Sequence, residues 1–125
     1  MDAVHSGEIK GLYVQGENPA MSDPNLNQAR EGLIALDHLI VQDIFLTETA
    51  GYADVILPAS AFPEKTGTFT NTNRQVQLGR KAIDPPGDAR QDWWIMQEIA
   101  NRLGLNWNYT SPSDIFAEVR EATSS

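Results

Sequence analysis

The sequence has 125 residues, enough for one domain built around a single core. Nine Lys and Arg stand against seventeen Asp and Glu, a net charge of −8. Nucleic acid and anionic membranes are held by basic surface, so neither is expected as a partner. There is no cysteine, which excludes a disulfide, a thiolate-bound iron–sulfur cluster, a Cys-based zinc site and a cysteine nucleophile from these residues.

The first residues, Met1 to Glu8, lack the apolar stretch of a signal peptide, and the expected location is the cytoplasm. Residues 1–7 read as an expression start before a segment that normally continues from something else, and are expected to be poorly ordered. No run approaches the ~18 consecutive apolar residues that would span a membrane.

Leu12 to Gln15 is a short apolar run between Gly11 and Gly16, which predicts a buried strand. Gly16-Glu17-Asn18-Pro19 is a loop by composition. Ser22 and Asp23 before Pro24 predict a helix start, and Leu26, Ala29, Leu33 and Leu36 then share one helical face. Leu39 to Gln42, closed by Asp43, predicts a second strand; Thr47 to Ala53 is a short helix at best. Val55 to Leu57, stopped by Pro58, predicts a third strand. Strands alternating with helices predict an α/β, Rossmann-like three-layer domain with a mostly parallel sheet flanked by helices.

Residues 65–81 are rich in Thr, Asn, Arg and Gln, and the weak alternation of Arg74 to Leu78 fits a hairpin arm or an extended loop. Asp84 to Asp88 is a rigid turn. Asp92 to Leu103 is apolar on most sides, which predicts a well-buried helix closed by Gly104 with Trp93 and Trp94 in the core. Ser111-Pro112-Ser113-Asp114 opens a last helix carrying Ile115, Phe116 and Val119, and residues 122–125 are expected to fray.

In an open parallel sheet, ligands bind outside the carboxyl ends of the strands. Two polar segments fall at that edge. Gly16 to Asn18 runs towards a helix N-terminus, a seat for phosphate, although Gly16 reads as well as a plain strand-to-helix turn. Asp43, 27 positions after Gly16, stands where a carboxylate bonds a ribose diol, or is a solvated strand end or helix cap. Neither G-x-G-x-x-G nor the phosphate loop G-x-x-x-x-G-K-[ST] is present. His5 and His38 have no second imidazole or thiol at ligand spacing, and without G-x-S-x-G a serine nucleophile has no elbow. Glu64-Lys65 reads as an exposed ion pair.

Taken in order, Gly16-Glu17-Asn18-Pro19, Val41 to Ala50 (VQDIFLTETA) and Ala53 to Pro58 (ADVILP) resemble the molybdopterin oxidoreductase family. So do Glu64 to Asn71 (EKTGTFTN), Asn73-Arg74, and Pro85-Pro86-Gly87 before Asp92-Trp93-Trp94. The likeness covers residues 8 to 120 and is strongest to the large subunits of formate dehydrogenases.

The resemblance implies a parent enzyme that oxidises formate to carbon dioxide at molybdenum or tungsten held by two molybdopterin guanine dinucleotides, with an iron–sulfur cluster elsewhere. It implies that this region cradles the guanosine end of one dinucleotide. Gly16, Glu17 and Asn18 approach the nucleotide, Gln42 and Asp43 bind its ribose or adjoining groups, Lys65 lies near phosphate or sugar, and Asp92 pairs with guanine. Asp92 is also read as a cap of its helix. Expected partners are other domains of the same subunit and electron-transfer subunits.

The family's metal-ligating cysteine or selenocysteine, its neighbouring histidine, and its catalytic arginine and lysine match no segment here. Asn73 stands where many relatives carry an acidic residue. The chain by itself is therefore expected to be inactive. Another family member, such as a nitrate reductase, and a free-standing nucleotide-binding or interaction module remain alternative readings.

Overall fold

The computed structural model describes residues 1–123, so the part of the expected fraying tail at Ser124 and Ser125 lies outside the described residues. Ala122 and Thr123 are helical. The chain divides into two compact units. The first comprises Met1–Ala59 with Gly87–Ala89; the second comprises Ser60–Pro86 and the chain from Arg90 onward.

The first unit holds a three-stranded parallel sheet, β1 (Gly11–Gln15), β2 (His38–Asp43) and β3 (Val55–Pro58), in that order. The register pairs Gln15 with Gln42 and Asp43 with Pro58, so all three strands end along one edge. As the middle strand, β2 is buried on both faces, with Leu39 and Val41 in the core. Burial of such a side chain stabilises by about 1.5–3 kcal/mol. Val55 and Ile56 of β3 remain partly exposed, as an edge strand permits.

Helices α2 (Pro19–Ser22) and α3 (Leu26–Ala35) connect β1 to β2. The predicted start at Ser22-Asp23 is displaced: Ser22 closes α2, and the cap of α3 is Asn25, whose side chain accepts the Gln28 N–H at 3.3 Å. Asn25 wins because it stands three residues before that amide, the geometry of a side-chain cap. Ala20 and Leu33 join Val14, Leu39, Val41 and Ala50 in one core cluster.

Residues 1–7, expected to be poorly ordered, contain a helical turn, α1 (Asp2–His5), with Val4 buried. It lies against α3 at Gly32, where a Cβ would come within 3.1 Å of the Met1 sulfur. His5 Nε2 lies 2.9 Å from the Gln28 carbonyl, and Gln28 Nε2 donates to Asp2 at 2.8 Å.

The second unit opens with an antiparallel pair, β4 (Gly67–Thr70) and β5 (Val76–Gly79), so the hairpin reading is the one realised. Arg74 does not extend the strand. It sits in the turn with φ of 65°, its N–H bonded to Asn71 O at 2.8 Å. Helices α4 (Asp92–Arg102) and α5 (Pro112–Thr123) follow.

Helix α4 is less buried than its composition predicts. It buries Ile95, Gln97 and Ala100, whereas Trp94 and Met96 are 39% and 38% exposed and Leu103 is exposed. A helix buries only the stripe facing a partner, however apolar its other sides. Two amides replace the expected tryptophan anchor. Gln97 takes the N–H of Tyr109 at 2.7 Å and donates to the Tyr109 carbonyl at 3.3 Å. One turn on, Asn101 does the same with Trp107, at 2.5 and 2.9 Å.

Candidate functional site

In the first unit, the carboxyl edge of the parallel sheet gathers Gly16, Glu17, Asn18, Gln42 and Asp43. The Gly16 N–H continues the sheet ladder to the Gln42 carbonyl at 2.9 Å, and Gly16 has φ of 62°. The chain then turns into α2, which is a single turn and contributes little dipole. Its Ala20 amide is already given to the Thr49 hydroxyl at 3.1 Å. Among the described residues, the Glu17 and Asn18 amides have no acceptor. They are the donors this loop presents.

Asp43 is half-buried at the end of β2. Its Oδ1 accepts the Ile44 and Phe45 amides at 2.7 and 3.1 Å, which folds the chain sharply away from the strand. Gln42 is wholly buried, and its side-chain oxygen accepts the Tyr13 hydroxyl. In this conformation Gln42 supports the edge from beneath, and Asp43 is the group at the surface.

The Asn18 side chain reaches across to the segment after β2. Its oxygen accepts the Thr49 N–H at 3.2 Å and the Thr49 hydroxyl at 2.8 Å, while its nitrogen donates to Glu48 at 2.7 Å. That donation, first among several causes, holds the Glu48 carboxyl below its ordinary range. Sequence reasoning assigns Glu48 and Thr49 no role of their own, because nothing local marks a contact made across 30 or 31 positions.

In the second unit, Lys65 and Asp92 meet. Lys65 Nζ lies 2.5 Å from Asp92 Oδ2, with the two side chains 24% and 32% exposed. Glu64 is not the partner of Lys65; its carboxylate accepts the Ala61 N–H at 2.8 Å and closes the 3-10 turn Phe62–Glu64. Asp92 is the first residue of α4 and Gln91 occupies the cap position, so the cap role does not fall to Asp92. The Gln91 side chain instead accepts the Trp93 indole N–H at 2.8 Å.

Lys65 and Asp92 line an open cleft of about 410 Å³ together with Thr68, Phe69, Gln91 and Trp93. The volume lies within the usual range for small-molecule sites. Gly67 lines it too, and a Cβ there would meet no atom within 4 Å, so the wall is bare backbone at that point. An ammonium, a carboxylate, a hydroxyl and two aromatic rings suit a nucleotide: charge for phosphate, hydroxyl for sugar, ring faces for a base. These groups thus fit a nucleotide-bearing cofactor. Among the described residues, no three His, Asp or Glu side chains gather as a metal site, and no helix is long and apolar enough to cross a membrane.

Residues 1–102 match the model of the molybdopterin oxidoreductase family. A putative formate dehydrogenase of Bacillus subtilis is 54% identical over 119 residues, 95% of this chain and 12% of that protein. The F420-dependent formate dehydrogenase subunit alpha of Methanocaldococcus jannaschii is 55% identical over 117 residues, 92% of this chain and 17% of that protein. Among solved structures, acetylene hydratase from Pelobacter acetylenicus superposes with a TM-score of 0.74 at 25% identity, over 83% of this chain and 15% of that one. The chain thus spans a small part of the relatives it matches. With the family model covering most of its length, the chain belongs to the molybdopterin oxidoreductase family.

Proposed function

We propose that this chain is the cofactor-cradling domain of a molybdenum or tungsten formate dehydrogenase alpha subunit. It is Rossmann-like and three-layered, works in the cytoplasm, and binds the guanosine part of a molybdopterin guanine dinucleotide. The observation that carries this reading is the Lys65–Asp92 pair at a nucleotide-sized cleft, in a chain more than half identical to formate dehydrogenase relatives. When bound, the cofactor would supply the metal at which formate loses two electrons and a proton to become carbon dioxide. An iron–sulfur cluster elsewhere in the parent, further domains of its subunit and electron-transfer subunits complete the assembly.

The residues of this chain bind and orient. Asp92 offers two acceptor oxygens to the adjacent ring N–H and amine of guanine. Lys65 neutralises the carboxylate and adds a cation for a nearby phosphate or sugar oxygen. In the first unit, Asp43 offers a carboxylate to a ribose diol over the buried Gln42, and Glu17 and Asn18 offer backbone amides to phosphate from the turn that Gly16 makes.

Titration of the labelled chain with GDP and ADP, read from amide shifts, tests this reading. GDP binds near 1 mM, about 4 kcal/mol, and is preferred over ADP. Shifts appear at residues 16–18, 42–43, 65 and 92. Equal binding of the two nucleotides, or shifts confined to α5, overturns it.

A further inference from the structure

Strands β1 and β2 separate at their carboxyl ends, one chain entering α2 and the other the 3-10 turn Thr49–Tyr52. Two points tie them together again. At the first, the Gly16 N–H bonds to the Gln42 carbonyl. At the second, Asn18 and Thr49 interlock. The Thr49 hydroxyl donates to Asn18 Oδ1 and accepts the Ala20 N–H, and Thr49 and Ala20 are both wholly buried.

We infer that Asn18 and Thr49 are positioning residues, a clamp that holds the Gly16–Asn18 loop in the shape presented to a nucleotide. The ligand side of this inference rests on the function proposed above. With its amide committed to Thr49 and Glu48, the Asn18 side chain has its bonds inside the protein, and the loop meets the ligand through backbone. Only Glu17 lies between the two tied residues, Gly16 and Asn18. A loop fixed before binding loses little freedom on binding, and the affinity gained is that of preorganisation.

The hydroxyl of Thr49 is the part of the clamp that a substitution removes cleanly. Thr49→Val keeps the shape, leaves the buried Ala20 amide without its acceptor and leaves the Asn18 oxygen with the Thr49 N–H alone. Thr49→Ser restores both bonds. Asn18→Asp keeps the acceptor for Thr49 and sets a second negative charge beside Glu48.

Hydrogen exchange and nucleotide titration are measured on all three variants of the whole chain. Thr49→Val is expected to exchange the Ala20 amide at least tenfold faster and to weaken GDP binding about tenfold, the effect of one unsatisfied buried group. Protection within β2, at Leu39 and Val41, stays unchanged. Thr49→Ser recovers both properties, and Asn18→Asp loosens the loop while the Thr49 bonds persist. If Thr49→Val lowers the melting temperature but leaves GDP affinity intact, Thr49 is structural and the inference fails. Wild-type exchange at Ala20 in Thr49→Val overturns the clamp itself, with or without nucleotide. Absence of GDP shifts in the unsubstituted chain defeats the proposed function instead, and exchange still decides the clamp.

Discussion

Lys65 and Asp92 stand 27 positions apart and place opposite charges 2.5 Å from each other. The pair joins the end of a 3-10 turn to the start of α4, so one contact both braces the second unit and supplies polar groups to its cleft.

Asp92→Asn is expected to collapse the GDP preference over ADP, worth about 1–3 kcal/mol for a bidentate base contact. Stability changes little, about 1 kcal/mol or less, because the pair is partly exposed to solvent. Competition titration and thermal unfolding separate the two effects. A large fall in melting temperature with the preference retained makes Asp92 a structural residue.

Gly16→Ala is expected to destabilise the chain by about 1–2 kcal/mol through backbone strain alone. The residue sits at φ of 62°, and a Cβ there would meet nothing within 4 Å. Gly16→Asn costs less, since asparagine tolerates this region. Urea unfolding with an unchanged slope checks the order; equal costs for the two substitutions point to a lost contact rather than strain.

At Gly79 the obstacle is steric. A Cβ would lie 2.6 and 2.9 Å from carbons of the Phe69 ring, which stacks edge-on against Phe62 at 6.4 Å. Gly79→Ala is expected to cost about 1–3 kcal/mol, the range for overpacking. Combining it with Phe69→Leu recovers part of that loss. Strict additivity in the double-mutant cycle contradicts a clash between these two residues.

Much of the first unit was legible because short apolar runs closed by Gly, Asp or Pro are a local signal. Leu12–Gln15, Leu39–Gln42 and Val55–Leu57 all became strands. Asp43 was legible as the end of a strand. The bonding of Lys65 was not, because Glu64 is adjacent in sequence yet turns back to Ala61. Ser22 and Asp23 mimicked a helix start, and only the spacing from Asn25 to Gln28 distinguishes the true cap. Trp94 misled for a simpler reason: residue type reports what a helix is able to bury, and packing decides which side does.

Helix α5 is expected to loosen at both ends of the pH scale. Asp114 accepts the Thr110 hydroxyl and amide and the Ser111 amide at 2.7, 2.9 and 3.0 Å, and these bonds hold its carboxyl below the ordinary value. Its contribution is present above the unfolded pKa, near 4, and is lost as pH falls through the lower folded value. Tyr109 has the opposite sign. Its hydroxyl donates to Glu118, which raises its pKa, so its contribution holds below about pH 10 and is lost as pH rises through the folded value. Amide exchange at Thr110 and Ser111 follows the acid step, and phenolate absorbance follows the alkaline one. Tyr109→Phe abolishes the alkaline step alone; loss of both steps contradicts separate tethers.

The Gln97 and Asn101 amides spell out, with side chains, the hydrogen bonding that a neighbouring strand makes with its backbone. Four positions along a helix rise about 6 Å, close to the advance of two residues along an extended chain, so the two rulers agree. The segment from Trp107 to Tyr109 is therefore docked through a ladder whose rungs are encoded residue by residue. A rung of a sheet survives substitution by any residue but proline, because the backbone N–H is common to all the others. Here a single substitution at Gln97 or Asn101 is enough to delete a rung, so the docking of that segment depends on side-chain identity where ordinary sheet pairing does not.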